Sequence, residues 1–358
     1  MLSSIAKPFA ALALAAALIS IVLAALGASP VGVFAALGEG AFGNWYACVD
    51  TIVKSTPLVF TGLAVSLAFS GALWNIGADG QLTIGAIAAG AIGPHLGNFP
   101  HAIAIAIILA AGALGGAVWG GVAGWLRARR DVNEVISTIM LNFVAVQALS
   151  WVVHGPLMEP SRAYPTSSPI ARAAQLEFYF APSRINLGMI LAVVLAAVCY
   201  LLLFRTGAGF ELRAMGRNRR AATFFGIRIP SLTLWVMALS GALAGLGGAV
   251  QISAISHRLY EKLSPGWGFE AIAVALVARL NPLGIIPAAI LFGALDNGSQ
   301  AMQRTQGVSP ELVQVIQGLV ILIILAFDTP AWSGLREQIF GAPNDAAAVP
   351  PVAEMPDA

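Results

Sequence analysis

The sequence predicts an all-α, polytopic membrane protein with about ten transmembrane helices, some of them short or broken, and with both termini cytoplasmic. Three observations predict it. Of 358 residues, 58% are hydrophobic and 10% charged, whereas a soluble domain carries about 25% charged residues. The apolar residues, mostly Ala, Leu, Val and Ile, gather in long runs, and the mean hydropathy is +0.82. The basic residues concentrate in a few short loops between those runs, as the positive-inside rule requires of a multi-pass chain.

The runs are taken in order. Phe9–Gly27 follows Lys7 and is longer than the apolar core of a signal peptide, so it reads as a first span. Pro57–Trp74 is the second, and Gln81–Gly97, short and rich in glycine, the third. His101–Leu126, Val132–Val153, Asn186–Phe204 and Ser231–Ser256 follow as the fourth to seventh. Gly268–Leu280 and Leu283–Gly298 are separated only by Asn281-Pro282. At 1.5 Å per residue they barely match ~30 Å of hydrocarbon, and read either as spans or as a pair of half-helices. Glu311–Phe327 is the last. One transmembrane domain over 1–340 results, with a Pro/Ala/Asp-rich tail, 341–358, of disordered composition.

With Lys7 inside, the loop holding Arg127, Arg129 and Arg130 falls inside, as does the loop holding Arg205, Arg213, Arg217, Arg219, Arg220 and Arg228. Outer loops carry Lys54, Arg162, Arg172, Arg184, Arg258, Lys262 and Arg304, thinly spread. The two cysteines, Cys48 and Cys199, lie in or beside apolar stretches and read as small hydrophobes.

The second inner loop has more structure than topology needs. "GFELRAMGRNRRAATFFGI" mixes small, apolar and basic residues, and Glu211–Phe225 reads as a short amphipathic helix suited to docking a soluble partner. This segment resembles the coupling helix of ABC importer permeases for simple sugars and nucleosides, in the positions Glu211, Arg213, Ala214, Gly216, Arg217, Asn218, Ala221, Ala222 and Gly226. "ALWNIGADGQLTIGA" at Ala72–Ala86, "NEVISTIMLN" at Asn133–Asn142 and "GFEAIAVALVARLNPLGIIPAAILFGAL" at Gly268–Leu295 agree with the same family, the first two most with its nucleoside branch. The resemblance implies a permease of the bacterial cytoplasmic membrane working by alternating access. It implies an ATP-binding cassette subunit, a sister permease in a heterodimer, and an extracytoplasmic substrate-binding lipoprotein. ATP hydrolysis would then lie on the separate subunit.

The residues themselves agree that no chemistry is done here. Lys7, Lys54 and Lys262 are the only lysines, and none follows a phosphate-binding glycine pattern. Ser240-Gly241 has no base in recognisable order, and His95, His101, His154 and His257 share no ligand spacing, so neither a catalytic residue, a cofactor nor a metal is expected. No nucleic acid partner is indicated; lipid and a small solute are.

Polar residues within the apolar runs point to the path of that solute, because irregular polar backbone survives at depth only inside protein or beside a cavity. "WNIGADGQ" places Trp74, Asn75, Asp79 and Gln81 at a break between two runs, with Asn142 on the fifth helix and Asn281 at the break in the second half. These six are the candidate substrate pathway. "ALWN" and "ARLN" align Asn75 with Asn281, suggesting an internal repeat whose breaks face each other. A plain turn at the cytoplasmic surface is the alternative for the first break. Gly112, Gly116, Gly120 and Gly124, with Gly241 and Gly245, form small-residue faces for close helix packing. The proline-rich outer segment His154–Arg184 is a candidate docking face for the binding protein.

A ribose-like sugar importer is the alternative within transport. An ion-driven secondary transporter would need carboxylates in mid-span, for which Asp79, Glu134 and Glu270 stand as candidates near segment ends. Cationic side chains along the path would be needed for a nucleotide, and only Arg279 lies near a span interior, so a neutral nucleoside is expected.

Overall fold

The computed structural model describes residues 29–179 and 184–307, with isolated positions on either side. The expected first and last spans and the tail lie outside the described residues. Within them the protein is α-helical, apart from one two-residue antiparallel pair, β1 (Phe178–Tyr179) and β2 (Ile185–Asn186).

The helices run as follows. α1 (Pro30–Phe42) starts on Ser29, whose hydroxyl accepts from the Gly32 amide, and has Pro30 at a position that needs no donor. α2 (Trp45–Ser70) is capped by Asn44. α3 (Ala78–Ile92) ends in a 3₁₀ turn, Gly93–Asn98. α4 (His101–Arg130) and α5 (Glu134–His154) follow, then α6 (Leu187–Arg205), α7 (Gly207–Arg217) and α8 (Arg219–Phe224). α9 (Ile229–Gln251) closes in a π turn, Ile252–Ser256, and α10 (Trp267–Val277) and α11 (Pro282–Gln306) complete the described chain. Among the described residues α2, α4, α5, α6 and α9 with its π turn are long and apolar enough to cross a membrane.

Two boundaries that bear on the site depart from expectation. α2 begins twelve residues before Pro57, which sits inside the helix. Proline removes one ladder donor, and nearby hydroxyls add back-bonds to neighbouring carbonyls of the same stretch: Thr56 Oγ1 donates to Ile52 O at 2.9 Å and Thr61 Oγ1 to Pro57 O at 2.8 Å. Lys54 is therefore a residue of the helix body and not of an outer loop. The ninth run is one continuous helix, α11, of 25 residues, about 37 Å long. Of the expected spans among the described residues, α3 and α10 are half-length, at 15 and 11 residues.

α9 is the central helix, packed against α4, α3 and α2. Its glycines are the reason it fits. A Cβ at Gly116 of α4 would meet the Gly241 carbonyl and the Gly245 backbone, and one at Gly245 would meet the Gly112 carbonyl. The four-residue glycine spacing thus brings two backbones into contact, as its sequence pattern predicts. Gly116→Val is expected to lower the melting temperature of the purified protein sharply or prevent its recovery, since overpacking against backbone costs at least the usual ~1–3 kcal/mol. Gly38→Ala, where a Cβ meets nothing within 4 Å, is the control. Equal melting of the two variants would contradict the packing.

One end of the bundle is basic. It gathers the C-termini of α2, α4 and α6, the N-termini of α5 and α9, and α7–α8. The opposite end is a folded cap. Ala171 N donates to Gly93 O at 3.0 Å, Ile170 N to His257 O at 2.8 Å and Leu176 N to Ser253 O at 2.9 Å. An ion pair, Arg258–Glu159 at 3.4 Å, adds to it. The long outer segment expected as a docking face is thus largely built into this cap.

Candidate translocation and coupling site

The site grows from the residues that follow α2. Ala72 takes a left-handed φ of 53°, which turns the chain back toward the bundle interior. Asn75 is fully buried, and an isolated amide there would be costly. It is not isolated. Asn75 and Gln81 exchange two amide hydrogen bonds, each 3.0 Å. Asn75 Nδ2 also donates to Ser240 Oγ at 2.8 Å, and Ser240 Oγ donates to Ala64 O at 2.6 Å. The Gly77 amide donates to Asn75 Oδ1 at 3.0 Å.

α5 holds the other side of the same segment. Asn142 Oδ1 accepts from the Gly80 amide at 2.8 Å while its Nδ2 donates to Ile76 O at 2.8 Å. Thr138 Oγ1 accepts from Ile76 N at 3.3 Å and donates to Glu134 O at 2.6 Å. The stretch 71–81 is thereby tied to α2, α5 and α9 at once. It is not a surface turn; it is an irregular segment inside protein, the only place such backbone is tolerated at membrane depth.

Asp79, in the first turn of α3, accepts from Ser264 Oγ at 2.6 Å and from the Gly268 amide at 3.0 Å. Gly268 is in the first turn of α10, so the N-termini of two half-helices converge on one carboxylate, which both dipoles favour. The chain before α10 reaches this depth by descending beside α3. Leu259 packs where a Cβ at Gly90 would stand, and Ser264 bonds Asp79. Eleven residues of helix separate those two contacts, about 16 Å. The break that faces Trp74–Gln81 is therefore 259–266, and not Leu280–Pro282.

Asn281 stands apart from the cluster. It is exposed and caps α11, accepting from Leu283 N at 3.1 Å. The turn before it is held by Ser66 Oγ, which donates to Leu280 O at 2.7 Å, near the basic end of α2. Trp74 borders the cluster with its ring half exposed, edge-on to Phe69 at 4.7 Å between centroids. Of the six sequence candidates the structure thus joins Asn75, Asp79, Gln81 and Asn142, sets Trp74 beside them, and leaves Asn281 elsewhere. The N–H groups at and just before the starts of α3 and α10 are largely taken by Asn75, Thr138, Asn142, Asp79 and Ser264. Sequence spacing does not assign Ser240, Thr138 or Ser264 to this cluster, because a lone Ser or Thr carries no pattern.

A charged pair was also missed. Lys54 Nζ and Asp296 Oδ2 are 3.0 Å apart between α2 and α11. With α2 started at Pro57, Lys54 fell in a loop and Asp296 went unpartnered. Arg279 is thus not the only basic residue within a span, and the list of intramembrane carboxylates lacked Asp296. Glu134 pairs with Arg127 at 3.0 Å at the basic end. Among the described residues no group of three His, Cys, Asp or Glu is placed to hold a metal ion.

At the basic end the expected single helix Glu211–Phe225 is two. Asn218, at φ −154°, breaks it, and its side chain caps α8 by accepting from Ala221 N at 3.0 Å. Asn is strong at an N-cap and weak in a helix interior. α7 turns Leu212 and Met215 inward onto Gly71. Gly216 lies on the end of α2, where any Cβ would meet the Ser70 carbonyl. Arg213 stacks on Phe204 at 5.1 Å. Ala222 is buried, whereas Glu211, Arg217, Arg219 and Arg220 are exposed. Phe224 and Phe225 are 87% and 81% exposed. Gly226 then takes φ 84°, a backbone conformation that favours glycine.

Comparison with known proteins gives the family. The family model for the branched-chain amino acid transport system permease component matches residues 47–325. The guanosine ABC transporter permease protein NupP of Bacillus subtilis is 33% identical over 90% of this chain and 93% of its own. The glucose ABC transporter permease protein TsgB13 of Haloferax volcanii is 31% identical over 85% and 83%. The nucleoside ABC transporter permease protein NupB of Lactococcus lactis is 29% identical over 85% and 86%. No solved structure matches. With a family model covering most of its length and full-length relatives of this kind, the chain belongs to the ABC transporter permeases of the branched-chain amino acid permease family.

Proposed function

We propose that this permease takes up nucleosides as one half of a heterodimeric membrane domain. It would be served by an extracytoplasmic binding lipoprotein and driven by a separate ATP-binding cassette subunit. About ten transmembrane helices and two cytoplasmic termini complete this reading, with the basic end inside. The observation that carries the coupling is α7–α8: one face is keyed to the end of α2 through Gly216, and the other presents two bare phenylalanines among arginines. Phe224 and Phe225 at the basic surface suit a groove on a soluble subunit.

Motion delivered to Gly216 would reach Ser70 and Gly71, then the clamped segment 71–81, and through Asp79 the start of α10. Asn75, Asp79, Gln81 and Asn142 act here as the gate's hinge pins, with Trp74 and Asn281 at its margins. Two relatives named for guanosine or nucleosides favour the nucleoside, and the glucose permease keeps a simple sugar as the second reading. A neutral cargo fits the spans, where Lys54 is neutralised by Asp296. In cells carrying the whole system, labelled guanosine uptake is expected to fall at least tenfold with excess unlabelled nucleoside and to resist ribose, glucose and GMP. Inhibition by sugar and not by nucleoside would establish the second reading, and inhibition by GMP alone would overturn the neutral cargo.

A further inference from the structure

α11 carries polar groups where a lipid-facing helix cannot. It is long enough to span, yet Asp296, Gln300 and Gln303, at spacings of four and three, are exposed on one face. Such spacing places all three on one stripe. Asp296 is not at a helix end: ten residues follow it in α11 and fourteen precede it, about 15 Å and 21 Å along the axis. Its partner Lys54 lies nine residues inside α2, and the pair's side chains are 24% and 50% exposed. Glu270 of α10 stands near enough to feel both Asp296 and Asp79 electrostatically. α6, by contrast, exposes only apolar side chains, Ile190, Val193, Val194, Ala197, Val198, Leu201 and Phe204, before Arg205 at its basic end, as contact with hydrocarbon requires. A half-exposed ion pair at that depth, continued by amides toward the end of α11, must face protein or water.

We infer that the Lys54–Asp296–Gln300–Gln303 face is the wetted wall of the solute vestibule on the non-basic side of the gate, and that it receives an uncharged solute rich in hydroxyl and amide groups. The inference rests on the importer reading, though not on which solute is carried. Carboxylate and amide oxygens accept from hydroxyls, and amide N–H groups donate to ring nitrogens and carbonyls. The internal ion pair leaves the wall without net charge to trap an ion. Glu270 lies on α10 two residues beyond Gly268, whose amide Asp79 holds.

The test uses the complete transporter in right-side-out vesicles, with Cys48 and Cys199 replaced by serine and alanine. Asp296→Cys and Gln300→Cys are treated with a charged, membrane-impermeant methanethiosulfonate, with Val193→Cys on α6 as the lipid-facing comparison. Both α11 thiols are expected to react at least tenfold faster than the α6 thiol, and modification at 300 to block uptake of whatever solute the system carries. If Asp296→Cys fails to assemble, Gln300→Cys decides alone. Thiols at 296 and 300 as inert as that at 193 would overturn the wall. Rapid labelling with no nucleoside uptake would leave the wall standing and remove the nucleoside reading instead.

Discussion

Gly216→Val is expected to lower uptake at least tenfold while the ATP-binding subunit still co-purifies in normal amount. The reason is local. A Cβ at 216 meets the Ser70 carbonyl and comes within 3.1 Å of Gly71 C and 3.2 Å of Ala72 N. These are backbone atoms at the end of a helix and cannot rotate away. α7 must instead lift off α2, at a cost of about 1–3 kcal/mol. A penalty of 1.4 kcal/mol on the transmitting state is already a tenfold loss in rate. The exposed face of α7–α8, including Phe224 and Phe225, is untouched, so docking survives. Arg217→Glu acts from the other side: it reverses an exposed charge at the end of α7 and is expected to reduce co-purification. Normal uptake by Gly216→Val, with normal recovery of the ATP-binding subunit, would remove α7 from the coupling path.

The two variants also show what the sequence could and could not tell. Glycine spacing on α4 and α9, the all-helical class and the basic amphipathic segment between α6 and α9 are local or periodic features, so they were legible. The division of that segment at Asn218 was legible in principle, since Asn followed by an amide three residues on is a cap signal, but the amphipathic pattern runs across it and hides the break. Pro57 misplaced the start of α2 because proline favours a helix's first turn, whereas here it lies inside the helix among buried neighbours, and that packing has no sequence signature. The displaced start then hid Lys54, and with it Asp296, a partner 242 residues away. The suggested repeat picked Asn281 through a four-residue likeness. The true partner of the first break is the descending stretch before Gly268, which shares only its geometry. Partnerships across the bundle, such as Asn75 with Ser240 or Asp79 with Ser264, are set by packing and cannot be read from spacing.

Asn75→Leu is expected to be the most damaging single change within the spans, and Asn281→Leu a mild one, although the sequence alone ranks them alike. Asn75 makes bonds to Gln81 in both directions, to Ser240 and to the Gly77 amide. Leucine is nearly the same size but can replace none of them. It strands the Gln81 amide and the Gly77 N–H in a site of zero exposure at residue 75. Each stranded group costs about 1–3 kcal/mol, so a loss of several kcal/mol is expected even after relaxation. That energy now holds 71–81 against α5 and α9, so the segment loosens as the fold weakens. Asn281→Leu removes one exposed cap bond to Leu283 N, worth about 1 kcal/mol. Uptake per assembled transporter is therefore expected to fall at least tenfold for Asn75→Leu and no more than a few-fold for Asn281→Leu. A second substitution separates gating from plain destabilisation. Gln81→Leu added to Asn75→Leu removes both amides, so stability should recover relative to the sum of the single losses, while uptake stays low because the segment is no longer pinned. Near-normal uptake by Asn75→Leu, or recovery of uptake together with stability in the double variant, would show that the buried amides serve only the fold.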